Sequence, residues 1–299
     1  MTAAERGVLL LCCALGDPDA RPLSMAQFRE LSRRAGASGA GDGDTAADVR
    51  PEHLRRLSYD ETESARIAAL LCREALLDKY LRAAERLGIV PVTRVSLAYP
   101  APVVKKRGMS CPPALFCAGN RALLASPCVG LAGSRKLHGE NERFARRVGE
   151  LAAREALTLV TGGAEGADSA SLHACLDAGG SAVLFIPDEL ARRAESASER
   201  CLVVSEGGYD LPFSPARALS RNALIHMMGD KTLIAQTRFG AGGTWAGAAE
   251  NLRHGWSELY VFADGSEGAR ALCGRGAEEV AELVSLRALR PAQSSFPTE

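Results

Sequence analysis

From residue 128 onward the apolar positions come in short runs separated by amphipathic stretches, with glycine-rich turns between them. The runs at 129–132, 157–161, 182–186, 202–205, 232–235 and 259–262 have the length and bounding turns of buried strands. Between and after them, residues 140–154, 169–178, 189–197, 215–228, 244–254 and 277–289 carry helical periodicity. In the first of these, Phe144, Val148, Leu151 and Ala152 form one stripe, while Arg143, Arg146 and Arg147 fall outside it. Strands alternating with helices at this spacing predict an α/β fold: a doubly wound, mostly parallel, Rossmann-like sheet with helices on both faces.

The first 88 residues lack that alternation. Residues 3–88 read as a small helical module, broken at 35–48 by a loop rich in Gly, Ala and Asp. Its clearest helix spans 72–87, with Leu76, Leu77, Tyr80, Leu81 and Ala84 on one side and Arg73, Asp78, Arg82 and Glu85 toward water. The run GVLLLCCAL at 7–15 is preceded only by Arg6 beside Glu5 and is followed by no small-x-small cleavage site. It is expected to be a short buried helix rather than the apolar part of a signal peptide. Pro91, Pro100, Pro102, Pro112 and Pro113 rule out long helices in the next stretch and predict an extended connector with an exposed cationic run, Lys105, Lys106 and Arg107. The expected organisation is a helical module at 1–88, a connector at 89–127, a Rossmann-like domain at 128–290 and a tail at 291–299.

Charge narrows the partners. The 299 residues hold 36 Lys plus Arg against 36 Asp plus Glu, so any nucleic-acid contact must come from a local cluster of cations rather than from a general field. Aromatics are 5% against 46% hydrophobic residues, which leaves few platforms for stacking bases. The nine cysteines include no C-x-x-C pair and the five histidines are scattered, so no zinc spacing is present. A reduced, cytoplasmic compartment is expected, with no membrane span and no cofactor.

The chemistry is expected in the turns that leave the strands. In an open parallel sheet such turns gather at the carboxyl edge, where backbone amides and helix N-termini favour anions. The first turn, Gly133-Ser134-Arg135-Lys136, offers a backbone an anion can approach, a hydroxyl donor and two cations. A structural turn with exposed basic residues fits the same spacing. It is not the dinucleotide fingerprint, because Ala132 takes the second glycine position and no acidic residue ends the second strand. The second turn, with Gly162, Gly163 and Gly166, can present successive amides, and Asp168 is expected to cap the helix that follows rather than act as a general base. A third candidate is the pair Arg221 and Asn222, on a helix whose buried side would include Leu219, Ala223 and Met227. A cation and an amide pointing elsewhere suit a sugar-phosphate backbone or an ordinary surface helix. The fourth turn, Gly242-Gly243-Thr244, opens another helix with Thr244 as cap or phosphate donor.

Taken together these residues resemble the bacterial DNA-processing protein A family, also called Smf. The matching elements are Pro112-Pro113 with Ala118-Gly119-Asn120, VGLAGSRK at 129–136, LVTGGAEGAD at 159–168, Val204-Ser205-Glu206, Ser220-Arg221-Asn222 and Gly242-Gly243-Thr244, in the family's order over residues 89–262. The resemblance implies a protein of DNA uptake, natural transformation and recombination that binds single-stranded DNA in a basic pocket, forms a homodimer and helps load a RecA-type recombinase. It implies that Gly133, Ser134, Arg135 and Lys136 grip DNA phosphates, joined by Gly163 and Arg221, with no bond broken and hence no enzyme activity. Three departures stand out: Ala223 where the family usually has an arginine, Asp264-Gly265 where it has Pro-Gly, and too short a segment beyond Leu289 for the winged-helix domain of many members.

The competing function is a Rossmann-like nucleotide-binding sensor, or an enzyme similar to the nucleotide phosphoribohydrolases with their P-G-G-x-G-T-x-x-E motif. Gly242-Gly243-Thr244 suits that motif, but Gly247 stands where its glutamate belongs and Glu250 is misplaced.

Overall fold

The computed structural model describes residues 1–38 and 51–290. In chain order its helices are α1 (Ala3–Cys12), α2 (Met25–Ser38), α3 (Glu61–Leu71), α4 (Glu74–Arg86), α5 (Ala101–Arg107), α6 (Gly139–Arg154), α7 (Ala167–Asp177), α8 (Pro215–Met228), α9 (Gly242–His254) and α10 (Glu267–Cys273). Its strands are β1 (Ile89–Thr93), β2 (Ala114–Ala118), β3 (Cys128–Ala132), β4 (Thr158–Thr161), β5 (Ser181–Ile186), β6 (Cys201–Glu206), β7 (Lys231–Ile234), β8 (Glu258–Phe262) and β9 (Glu278–Val280). The chain divides into two compact units. One is made of Met1–Leu124, Pro187–Ser198 and Val203–Phe213, the other of Ala125–Ile186, Glu199–Leu202 and the chain from Ser214 onward.

In the first unit, α1 opens with a capping box in which the Glu5 amide donates to the Thr2 hydroxyl and the Thr2 amide donates to the Glu5 carboxylate. The apolar run does form a buried helix, and Val8 and Leu11 pack with Phe28, Leu31, Leu54, Ile67 and Leu70. Arg73, expected in water, instead donates to the carbonyls of Leu10, Cys13 and Ala14, because the last carbonyls of α1 lack amide partners and favour a cation. Most of the loop expected at 35–48 lies outside the described residues, and 35–38 finish α2. No helix among the described residues is long and apolar enough to cross a membrane.

Residues 89–127 are not an extended connector. Strand β1 pairs antiparallel with β2, and β2 antiparallel with β6. Pro91 sits on β1, which among the described residues pairs on one side only, so its missing amide breaks no ladder. Pro100 precedes α5 and Pro102 lies in its first turn, where an absent amide also loses nothing. The cationic run 105–107 is therefore the last turn of a helix rather than a loop. Residues 189–197 form two 3-10 turns, Leu190–Arg192 and Ala194–Ser196, instead of the expected helix, since only Leu190 of that stretch is buried.

The second unit holds six parallel strands in the order β5-β4-β3-β7-β8-β9, which is the doubly wound arrangement expected. Its core joins the β3, β4 and β7 residues Val129, Leu131, Leu159 and Leu233 to Phe144, Val148 and Leu151 of α6. The end of the chain departs from expectation. Residues 277–289 form β9 and an irregular, repeatedly bent stretch, while an unpredicted helix, α10, precedes them with Ser266 as its cap. The Leu286 and Arg287 amides donate to the Glu155 carboxylate at 2.9 and 2.8 Å, so they are spent outside any helix. Val280, Leu283 and Leu286 are still buried, and their three-residue spacing is the feature that mimics a helix.

Within α8, His226 is 1% exposed and its Nδ1 has no hydrogen-bond partner among the described residues. Burial pushes its pKa down to about 3 from 6.5. Between those values the unfolded chain binds the extra proton, so the His226 contribution is complete above pH 6.5 and is lost as pH falls toward 3. The expected loss between pH 6.5 and pH 5 is about 2 kcal/mol. Urea midpoints measured over that range should slope for the wild type and flatten in His226→Leu; parallel slopes would refute the assignment.

Candidate functional site

The strands of the second unit run outward from β3 in both directions, through β4 to β5 on one side and through β7 to β8 and β9 on the other. The chain therefore reverses between β3 and β7, and the turns leaving these strands open a crevice at the carboxyl edge, the place where open parallel sheets take ligands.

One residue that the sequence did not reveal, Gln236, clips these two turns together. Its carbonyl accepts the Ser134 amide at 3.0 Å and the Ser134 hydroxyl at 3.2 Å, and its side-chain oxygen accepts the His138 amide at 3.0 Å. Ser134 was expected to donate to a phosphate; its hydroxyl donates inward instead. Arg135 and Lys136 stand exposed next to it, and neither side chain makes a hydrogen bond or ion pair among the described residues. Gly133 sits where a Cβ would lie 2.4 Å from the Ala167 side chain, so only glycine lets β3 turn this close to α7.

The turn after β4 packs directly on the first, with the Ala167 amide donating to the Ser134 carbonyl at 3.2 Å. Gly163 takes a positive φ of 63°. Asp168 is not the helix cap: Gly166 holds that position, and Asp168 lies within the first turn of α7. Its carboxylate turns back to accept the Ala164 amide at 3.2 Å and faces the Arg221 guanidinium at 3.6 Å. Burial pushes the Asp168 acid above the usual carboxylate range, opposed by Arg221, the Ala164 and Gly162 amides and the Thr161 hydroxyl.

Arg221 does not point to a free surface. Its side chain is 12% exposed and lies against Gly162, where a Cβ would be 1.2 Å from Nη1. The physical reason is the orientation of α8: Leu219, expected inside, is 51% exposed, while Ala223 through Met228 are buried. Asn222 likewise is spent within the fold, donating to the Gly243 carbonyl at 3.0 Å and tying α8 to α9.

The fourth turn leads into α9, whose N-cap is Ala241 and whose first turn receives no side-chain cap. Gly242 and Gly243 are exposed there, so the first amides of α9 stand at an exposed turn without a side-chain cap. Thr244 is neither cap nor outward donor: its hydroxyl donates to the Gly133 carbonyl at 2.9 Å and fastens the start of α9 to the first turn. Arg238 and Phe239, just before this turn, are both exposed and were not singled out from the sequence. The signal was a cation and an aromatic standing side by side ahead of a glycine run.

Both departures near the crevice are built into the fold. Ala223 is 8% exposed. The Asp264 carboxylate accepts Asn141 Nδ2 at 2.7 Å and the Ser266 amide at 2.9 Å, and the same Asn141 nitrogen donates to the Ala235 carbonyl at 2.8 Å. Its charge is thus held beside β7 by two donors. Glu250, the glutamate nearest to the phosphoribohydrolase pattern, lies two turns into α9 and pairs with Arg253 and His254. The arrangement as a whole offers backbone amides, exposed cations at 135, 136 and 238, and the buried pair Asp168 and Arg221, a combination whose chemistry suits an anion.

A family model described as DNA recombination-mediator protein A matches residues 91–288. No curated protein matches the chain. Among solved structures, DNA processing protein A from Streptococcus pneumoniae is similar over 94% of this chain and 95% of its own, at 21% identity and a TM-score of 0.71. DNA processing protein A from Helicobacter pylori, described for its single-stranded DNA binding mode, is similar over 65% of this chain and 92% of its own, at 20% identity and a TM-score of 0.55. At these identities the two likenesses establish the fold.

Proposed function

The chain belongs to the DNA recombination-mediator protein A family, and from that premise we propose that its second unit binds single-stranded DNA at the β3/β7 crevice and breaks no bond in doing so. The observation that supports this most is the pair Arg135 and Lys136, exposed and unengaged on a turn that Thr244 fastens to the uncapped start of α9. Cations then meet phosphates from one side and backbone amides from the other, the combination that holds a strand without reading its sequence. In this reading Gly133, Gly162, Gly163, Gly242 and Gly243 allow close backbone approach, Ser134 and Thr244 hold the turns in place, and Arg221 with Asn222 shapes the floor. A homodimer, a cytoplasmic setting in DNA uptake or recombination, and delivery of the strand to a RecA-type recombinase belong to the same proposal.

The test is a titration with oligo-dT, duplex DNA and AMP over a range of salt. Preference for oligo-dT is expected, with affinity falling as salt rises. Arg135→Ala with Lys136→Ala should weaken oligo-dT binding roughly tenfold or more and flatten the salt slope by about 1.4, the share of two single-strand phosphate contacts. Tight AMP binding with no oligo-dT binding would overturn the reading in favour of a nucleotide sensor.

A further inference from the structure

We propose that Phe239 is a stacking platform for one base of the bound strand, so that the crevice engages bases as well as phosphates. This rests on the single-stranded DNA reading above and adds a contact which that reading does not contain.

Phe239 is a large apolar side chain that remains 45% exposed in a chain where aromatics are scarce. A lone exposed ring needs no explanation by itself. Its surroundings supply one. It sits in a turn closed by the Ala241 amide donating to the Arg238 carbonyl at 3.3 Å, with an isolated bridge between the same two residues. The turn thus presents a cation and a ring in succession, and the uncapped amides of α9 begin three residues later.

The ring is also held in place. Its centroid is 5.0 Å from that of Trp245 with the planes at 79°, and Trp245 is 8% exposed, packed with Ile234, Ala248, Leu259 and Leu272, and covered by the Arg275 guanidinium at 4.8 Å. An edge-to-face neighbour covers only part of a ring, so Phe239 is anchored while much of it stays open to a planar partner. Trp245 also fixes where that partner lies. It is the residue after Thr244, whose hydroxyl bonds the Gly133 carbonyl, so the ring and the exposed cations at 135 and 136 belong to one connected assembly.

The chemistry selects a nucleobase. A ring flanked by cations and free amides suits a ligand that carries a flat apolar face one linkage from a phosphate. Base–aromatic stacking of this kind tolerates any sequence and adds to the charge contribution without changing its salt dependence.

The experiment compares oligo-dT with an abasic strand of the same phosphate count. The full-length chain is tested as wild type, Phe239→Ala, Phe239→Tyr, and Arg135→Ala with Lys136→Ala. Phe239→Ala is expected to weaken oligo-dT binding roughly five- to a hundredfold, to leave the salt slope and abasic-strand binding unchanged, and to be rescued by Phe239→Tyr. The cation variant should lose both strands equally. Wild-type affinity for oligo-dT in Phe239→Ala, with the cation variant still defective, would sink the platform and leave the functional reading intact. Failure of the wild type to bind either strand would sink both. A Phe239→Ala protein that keeps its oligo-dT affinity but shifts its elution mass would make the ring a contact between copies of the chain and also overturn the proposal.

Discussion

Gly166→Ala is expected to lower the urea midpoint sharply and to abolish binding at the crevice. Gly166 sits at φ 81° and ψ −122°, a region open essentially to glycine, and an L-residue held there costs about 1–3 kcal/mol. A Cβ at 166 would also lie 2.4 Å from the carbonyl oxygens of both Ser134 and Arg135. These are backbone atoms, so relief requires moving the turn itself, at a further cost of about 1–3 kcal/mol. Arg135 and Lys136 would move with it. Gly255→Ala is the matched control, since Gly255 also has a positive φ, 62°, but nothing lies within 4 Å of its added Cβ. It should lose only the strain contribution and remain close to wild type in binding. Equal midpoints and equal oligo-dT affinities for the two variants would show that the contact between the first two turns does not hold the site together.

The second large effect is expected from Asp168→Ala. Its side chain and that of Arg221 are 7% and 12% exposed and stand 3.6 Å apart, so removing the carboxylate breaks a buried ion pair from one side, a loss of about 3–5 kcal/mol. Asp168→Asn, which can still accept the Ala164 amide, should lose less. The combination Asp168→Ala with Arg221→Met should recover a large part of the loss, because two apolar side chains leave no stranded charge. A double-mutant cycle on urea unfolding measures the coupling, and additive single effects would show that the pair is not coupled. The pH trend is opposite to that of His226. A carboxyl raised by burial contributes stability that is complete below the ordinary carboxylate range and is lost as pH rises through the raised value.

The parallel half of the fold was legible because most of its strands are continuous apolar runs: β3, β4, β5, β7 and β8 arose from predicted runs, the run at 202–205 became β6, which pairs antiparallel with β2, and β9 was missed. Strands β1 and β2 were hidden by prolines, which read as a connector until Pro91 is seen on an unpaired edge. The final segment read as a helix because Val280, Leu283 and Leu286 repeat at three, a spacing that a bent, irregular chain lying on a packed surface also satisfies. At the site, the glycines and basic residues of the first turn carry their own signal. The roles of Ser134, Thr244, Arg221 and Asn222 do not, since each hydroxyl, amide or cation has two directions to face and only the packed helices decide which. Gln236 and Phe239 escaped for a related reason: a single amide or ring within a turn has no period.

The hydrogen bond from Thr244 to Gly133 spans 111 residues. The crevice is thus assembled from segments that meet only after β3 has found β7 across most of the domain, and such long-range pairing is the slow step of parallel sheets. During synthesis the Gly-Ser-Arg-Lys turn emerges well before the start of α9 that completes it. A nascent or truncated chain ending before β7 would carry the cations without the amides, so the proposed binding surface is complete only once the fold is.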